Sequence, residues 1–239
     1  MNIFITGTDT DVGKSVVTAG LAGVLQSLGY NVAVYKPIQS GGEYDQDGIL
    51  FSSDLQFVKN VDKNIFTHCT YMLRTPAAPI LSASVDDIEI DLLKIEKDYL
   101  TMAKHYDIVI VEGAGGIMVP VAQNLLISDV IKALNLPTVV VSRPNLGTIN
   151  HSVLTAHYCK TENINMLGFI ISNYPVGTFD PAIKTAAEYI TQFSNKEILG
   201  IIPRIPGISY KNPKAETLIE AVIKNVNLEK IFNIRMQRV

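Results

Sequence analysis

Gly7-Thr8-Asp9-Thr10-Asp11-Val12-Gly13-Lys14-Ser15 is the stretch that decides how this chain folds. It leaves an apolar run, Asn2–Thr6, that reads as a strand. It enters a segment from about Gly13 to Leu28 whose apolar residues Val17, Leu21, Val24, Leu25 and Leu28 share one helical face. A strand, a glycine-bearing loop and a helix in that order make an anion cradle. Glycine lets backbone N–H groups curl toward phosphate oxygens, and the helix N-terminus adds partial positive charge. Lys14 brings a mobile charge for the outer phosphates, and Ser15 offers a hydroxyl to magnesium. The spacing departs from the strict pattern: five residues, not four, separate Gly7 from Gly13, and Thr8 takes the usual first-glycine position. The strand–loop–helix setting supplies the specificity that the spacing alone lacks.

Outward from the loop, strand-like runs alternate with helical ones. Short, nearly continuous apolar runs at Val32–Lys36, Asp107–Val111, Thr138–Ser142, Leu167–Ser172 and Ile198–Ile202 read as parallel strands covered on both faces. Helical periodicity falls between them, at about Asp91–Lys104, Ser128–Leu134, Ile149–Thr161, Pro181–Phe193 and Ala215–Val226. The alternation predicts an α/β fold: a doubly wound, mainly parallel sheet with helices on both faces, of the P-loop NTPase-like kind. Ligands of such folds bind at the carboxyl ends of the strands. Residues 41–90 are the least regular stretch. Nothing in the 239 residues reads as a linker, so the expectation is a single domain over 1–239.

Composition narrows the function. Hydrophobic residues make up 47% and charged residues 18%, which suits a large core and argues against disorder. The net charge of −3, with no dense Lys/Arg run, weighs against a nucleic-acid binder. No apolar run approaches the roughly 18 residues of a membrane helix, and the N-terminus lacks a signal-peptide pattern. Cys69 and Cys159 stand far apart, and neither they nor His68, His105, His151 and His157 show metal-ligand spacing. The expectation is a cytoplasmic enzyme with two free thiols, its histidines structural or solvent-facing.

Two further strand ends carry chemistry. Glu112 follows the run Ile108–Val111 and opens Glu112-Gly113-Ala114-Gly115-Gly116, the place where a phosphate-loop enzyme keeps a metal-coordinating acid. Magnesium prefers hard oxygen ligands, and the small residues after Glu112 allow the backbone close to a ligand. Asp54, in Ser52-Ser53-Asp54-Leu55, is either a second ligand or a helix cap. Lys36 ends the second strand in Lys36-Pro37-Ile38-Gln39-Ser40-Gly41. There it either stabilises a transferring phosphoryl group or is an exposed lysine before a turn.

Together these segments resemble the dethiobiotin synthetase family. The resemblance rests on GTDTDVGKS at 7–15, YKPIQSG at 35–41, SD at 53–54, VEGAGG at 111–116, NLGTINH at 145–151, SN at 172–173 and LGIIP at 199–203. It covers about residues 1–205; the tail after about 210 carries no family signal. It implies formation of dethiobiotin from 7,8-diaminopelargonate, carbon dioxide and ATP, with Mg2+ as cofactor. It further implies that Lys14 and Lys36 hold the γ-phosphate and the carbamate, that Ser40 contacts the substrate, and that Thr10 and Asp11 line the reacting groups. Ser15, Asp54 and Glu112 would bind magnesium. The nucleotide would lie along Asp11, Val12, Gly13, Lys14, Ser15 and Val16, with Gly113, Ala114 and Gly115 beside its phosphates. Asn173 would read the base, with Tyr174, Pro203, Arg204 and Ile205 completing that pocket. Gly147, Thr148 and Asn150 would take the substrate's carboxylate tail across a homodimer interface. Asp11 is one methylene shorter than the glutamate common in the family, and Ser15 replaces a common threonine.

Two other functions share this fold class. A partition-type ATPase switch would bind DNA or membrane, but carries a signature lysine early in the loop where Asp9 stands here. A cobyrinate-type amide synthase usually adds a glutaminase domain, for which 239 residues leave no room.

Overall fold

The computed structural model describes residues 1–235, so the last four residues of the expected domain lie outside the described part. The strands are β1 (Ile3–Gly7), β2 (Val32–Gln39), β3 (Glu43–Tyr44), β4 (Leu50–Phe51), β5 (Phe66–Met72), β6 (Ile108–Gly116), β7 (Pro120–Ala122), β8 (Leu125–Leu126), β9 (Thr138–Ser142), β10 (Met166–Tyr174) and β11 (Ile198–Pro203). The helices are α1 (Lys14–Ser27), α2 (Ser53–Val61), α3 (Pro79–Asp86), α4 (Leu92–His105), α5 (Ile127–Leu134), α6 (Thr148–Thr161), α7 (Pro181–Lys184), α8 (Ala186–Ser194), α9 (Ala215–Asn225) and α10 (Leu228–Phe232).

Seven strands form one parallel sheet in the order β11-β10-β9-β1-β6-β2-β5. The expected doubly wound α/β fold is what the chain adopts. Side chains alternate across the sheet, as the period of a strand requires. Ile3, Ile5, Val34 and Ile110 pack with α1, α2, α9 and α10 on one face. Phe4, Tyr35, Val109 and Val111 pack with α4, α5, α6 and α8 on the other. Two cores therefore sandwich one sheet.

The first face explains the site. Along β2, Val32 and Val34 point to the α1 side, and Lys36 is next in that row. Along β6, Ile108 and Ile110 point the same way, and Glu112 is next. Register pairs Val34 with Ile110 and Tyr35 with Val111. One step further on, Lys36 and Glu112 stand side by side at the end of the apolar row.

Several expectations change in detail. β2 continues through Gln39 and β6 through Gly116, so Lys36 and Glu112 lie inside strands, not at their ends. The helix expected over 181–193 is two pieces divided at Thr185. The irregular stretch 41–90 holds α2, α3, the edge strand β5 and a small hairpin. No helix of the described residues is long and apolar enough to cross a membrane.

Candidate active site

The phosphate loop turns between β1 and α1. Gly13 caps α1 in the left-handed region, at φ 96°, and a Cβ there would lie 2.5 Å from Ser172 Oγ. Only glycine meets both conditions, and the close approach sets the loop against the end of β10. Asp11 is also left-handed and exposed. Lys14 is buried at 7% exposure, and its ammonium donates to the Asp9 carbonyl at 3.1 Å. Burial lowers its pKa, with Glu112 pulling the other way. The Asp9 carboxylate accepts from the Thr10 N–H at 2.8 Å and lies 3.6 Å from the Arg143 guanidinium.

Behind the loop four polar side chains converge. Lys36 Nζ lies 2.6 Å from Asp54 Oδ2 and 2.7 Å from Glu112 Oε1. Ser15 Oγ donates toward Asp54 Oδ1 at 2.7 Å and toward Glu112 Oε1 at 2.9 Å. Lys36 is 3% exposed and Glu112 2%, which removes the alternative of a solvent-facing lysine. Burial favours the neutral amine of Lys36, but the Glu112 and Asp54 carboxylates outweigh it and raise its pKa. Asp54 is the mirror case: burial opposes its charge, and the Lys36 ammonium and Ser15 hydroxyl more than compensate, so its pKa falls. Nor does Asp54 cap α2. Ser52 does so, accepting from the Leu55 N–H at 3.1 Å.

Ser15, Asp54 and Glu112 thus present one hydroxyl and two carboxylates within hydrogen-bond reach of one another. All are hard oxygen donors, the set that suits magnesium, which keeps waters and takes phosphate oxygens for the rest of its shell. Among the described residues no group of three His, Cys, Asp or Glu side chains is placed to hold a metal; this mixed set fits magnesium rather than a softer ion. Both cysteines are free, and His68 pairs with Asp98 at 3.2 Å.

A cavity of about 750 Å³ opens over these groups. Of the residues singled out in the sequence, it brings together Thr10, Asp11, Gly13, Lys14, Ser15, Val16, Lys36, Ser40, Asp54, Glu112, Ala114 and Gly115. Val12 and Gly113 are buried beneath it. Its far wall is Pro76-Ala77-Ala78-Pro79, which sequence reading missed although two prolines around a pair of alanines mark a rigid turn. Gln39 also lines it.

The remaining candidates fall into two neighbouring groups outside that cavity. Tyr174 and Pro203 are register partners at the ends of β10 and β11, and the Arg204 N–H donates to the Tyr174 carbonyl at 2.8 Å. Asn173 beside them is exposed and left-handed, and Ile205 is buried. Gly147, at φ 93°, starts α6; Thr148 is buried with its hydroxyl unpaired, and Asn150 is exposed. Leu146 beside them is 86% exposed.

With this geometry in place, comparison with known proteins is specific. The model of an AAA domain family matches residues 1–212. The ATP-dependent dethiobiotin synthetase BioD of Methanococcus vannielii is 40% identical over 201 residues, spanning 84% of this chain and 92% of that relative. BioD of Bacillus cereus strain B4264 is 36% identical over 231 residues, 95% of this chain and 92% of that relative. Among solved structures, the MinC:MinD cell division complex of Aquifex aeolicus superposes with a TM-score of 0.59 at 16% identity, covering 99% of this chain and 98% of that one. A ParA family ATPase of Chlorobium tepidum gives a TM-score of 0.52 at 15% identity, over 97% and 91%. Those two likenesses are of fold alone.

Proposed function

We propose a function from the premise that this chain belongs to the ATP-dependent dethiobiotin synthetase family. It is an ATP-dependent ligase of biotin biosynthesis that makes dethiobiotin from 7,8-diaminopelargonate and carbon dioxide. An amine of the substrate takes up carbon dioxide as a carbamate. A carbamate oxygen attacks the γ-phosphorus, and ADP leaves. The second amine then attacks the carbonyl carbon, the ring closes as a cyclic urea, and phosphate departs.

The observation that carries the site assignment is the convergence of Lys36, Ser15, Asp54 and Glu112 next to Lys14. Ser15, Asp54 and Glu112 hold Mg2+, which when bound neutralises charge on the transferring phosphoryl group. Lys14 cradles the outer phosphates from the loop. Lys36, kept protonated by its carboxylate neighbours, supplies positive charge where the carbamate and the γ-phosphate meet. Thr10, Asp11 and Ser40 line the same cavity and contact the reacting amines and carbamate. The phosphates lie along Asp11–Val16 and Gly113–Gly115. Asn173, Tyr174 and Pro203–Ile205 take the base.

The Thr148 N–H donates to the Asn145 carbonyl at 3.0 Å, and the positive end of α6 beside it suits a carboxylate, so Gly147, Thr148 and Asn150 bind the substrate's tail. That group lies outside the main cavity, and it completes the site of a second copy in a homodimer. The full chain, 1–239, acts as one synthetase domain in the cytoplasm, without nucleic acid or membrane.

Phosphate release is the test. Purified protein with MgATP should release phosphate slowly, and much faster once diaminopelargonate and bicarbonate are both present. A rate that ignores the two small molecules and responds to DNA or lipid would overturn the reading in favour of a partition-type switch.

A further inference from the structure

Gln39 follows Lys36 by three residues on β2 and points toward α2. Its side chain is 7% exposed, and its Oε1 accepts from Ser52 Oγ at 2.6 Å. Ser52, 4% exposed, in turn accepts from the Leu55 N–H at 3.1 Å as the cap of α2. On its other side, Gln39 Nε2 donates to the Ser40 carbonyl at 2.8 Å. A chain of buried hydrogen bonds therefore runs from the strand carrying Lys36 to the first turn of the helix carrying Asp54.

We infer that Gln39, through Ser52, is a positioning residue for Asp54 and so for the magnesium ion; the inference rests on the metal assignment made above. Leu55, Phe57, Val58 and Val61 bury α2 in the core. Apolar packing is non-directional and does not by itself fix the rotation of the helix start to within a hydrogen bond's tolerance. The Gln39–Ser52 bond removes that freedom at the first turn, two residues from Asp54. It is short, directional and shielded from water, where leaving a partner unmade is costly. Asp54 must meet Ser15 at 2.7 Å and Lys36 at 2.6 Å with different oxygens. A small movement of the helix start breaks one of the two. Partners bonded directly to a ligand typically control metal affinity by about 10–100-fold; Gln39 and Ser52 act one step further out, through the start of α2, so the low end applies.

Calorimetric titration of ADP, once with magnesium and once with EDTA, tests this without relying on turnover. The quantity read is the ratio of the two affinities. Ser52→Ala and Gln39→Ala should each cut that ratio by about tenfold, and the double variant little further, because both break the shared Gln39–Ser52 bond. Affinity in EDTA should stay as in wild type, since the phosphate loop is intact. Ser52→Thr keeps the hydroxyl for Gln39 and for the cap of α2 and should retain the ratio. The inference is overturned if both alanine variants melt at lower temperature yet keep the wild-type ratio, which is a structural role only. It is equally overturned if Ser52→Thr loses as much as Ser52→Ala, which separates the effect from the hydroxyl that bonds Gln39. A wild-type protein whose ADP affinity is indifferent to magnesium would instead fail the metal assignment itself.

Discussion

Lys14 and Lys36 are both buried, and their surroundings act on them in opposite senses. Lys14 has, among the described residues, a hydrogen bond to the Asp9 carbonyl alone, and burial lowers its pKa. Its charge is a cost to the fold, which the proposed role at the phosphates would explain. Lys14→Gln should therefore leave the melting temperature undiminished while cutting kcat by about 10²–10³, the loss expected of a group that stabilises transition-state charge. Turnover within threefold of wild type, on the order of 0.6 kcal/mol, would contradict the role. Lys36 compensates two carboxylates. Lys36→Met should suppress phosphate release coupled to the substrates and also destabilise the protein. Removing one partner of a buried ion pair costs about 3–5 kcal/mol; the low end applies here, because the Asp54 side chain is 32% exposed. Urea denaturation of the two variants in EDTA separates them: only Lys36→Met should lose stability. Neither lysine could be told apart from an ordinary one by sequence periodicity. Their difference arises from register, which sets Lys36 beside Glu112, and from α2, which brings Asp54 from a loop region that showed no regular pattern.

At the scale of elements, strands buried on both faces were legible because their apolar runs are continuous. β5, with the sequence Phe-Thr-His-Cys-Thr-Tyr-Met, was not, because an edge strand mixes polar residues with apolar ones. α2 is nine residues long and hides behind a polar start. The chain beyond about 210 gave no functional signal, yet its described part adds to the core: Leu218 and Val222 of α9 and Ile231 and Phe232 of α10 are fully buried against the α1 side of the sheet. A Cβ on Gly20 of α1 would lie 2.7 Å from Val222 Cγ2, so α1 and α9 pack at near contact. Leu218→Ala should cost about 2–5 kcal/mol, read by urea denaturation, because tight packing leaves little room to close the cavity. A second case lies at α5. The Leu126 N–H donates to Asp129 Oδ2 at 2.8 Å, and Lys132 lies 2.9 Å from the same carboxyl group. Burial opposes the charge on Asp129, but these two partners lower its pKa. A depressed carboxylate stabilises the fold above its unfolded pKa of about 3.9, and that contribution is lost as pH falls through the lower folded value. Asp129→Ala should thus cost about 1 kcal/mol near neutral pH, with the gap to wild type closing below about pH 4. A gap that stays constant into acid would assign the loss to packing.

At the scale of the whole molecule, the main cavity and the α6 loop pose one question. Lys36 and Asp54 line the cavity, whereas Gly147 and Asn150 sit at the start of α6 outside it, with Leu146 almost fully exposed beside them. In a C2 dimer with a shared site, each site takes its phosphate machinery from one copy and its carboxylate cradle from the other. Two defective variants can then repair each other. On the proposed assignment Lys36→Met disables the phosphate side, and Asn150→Asp, at an exposed position, places a negative charge at the proposed cradle for the substrate's anionic tail. Homodimers of either variant have two defective sites. A mixed dimer carries both lesions at one site and neither at the other. With equal amounts and free exchange, half the dimers are mixed and half of their sites are intact, so activity at low substrate should reach about a quarter of wild type. Phosphate release measured before and after subunit exchange reads this directly. If every site were built within one chain, mixing would yield no more than the sum of two defective enzymes. Recovery of activity on mixing requires that one copy complete the site of the other.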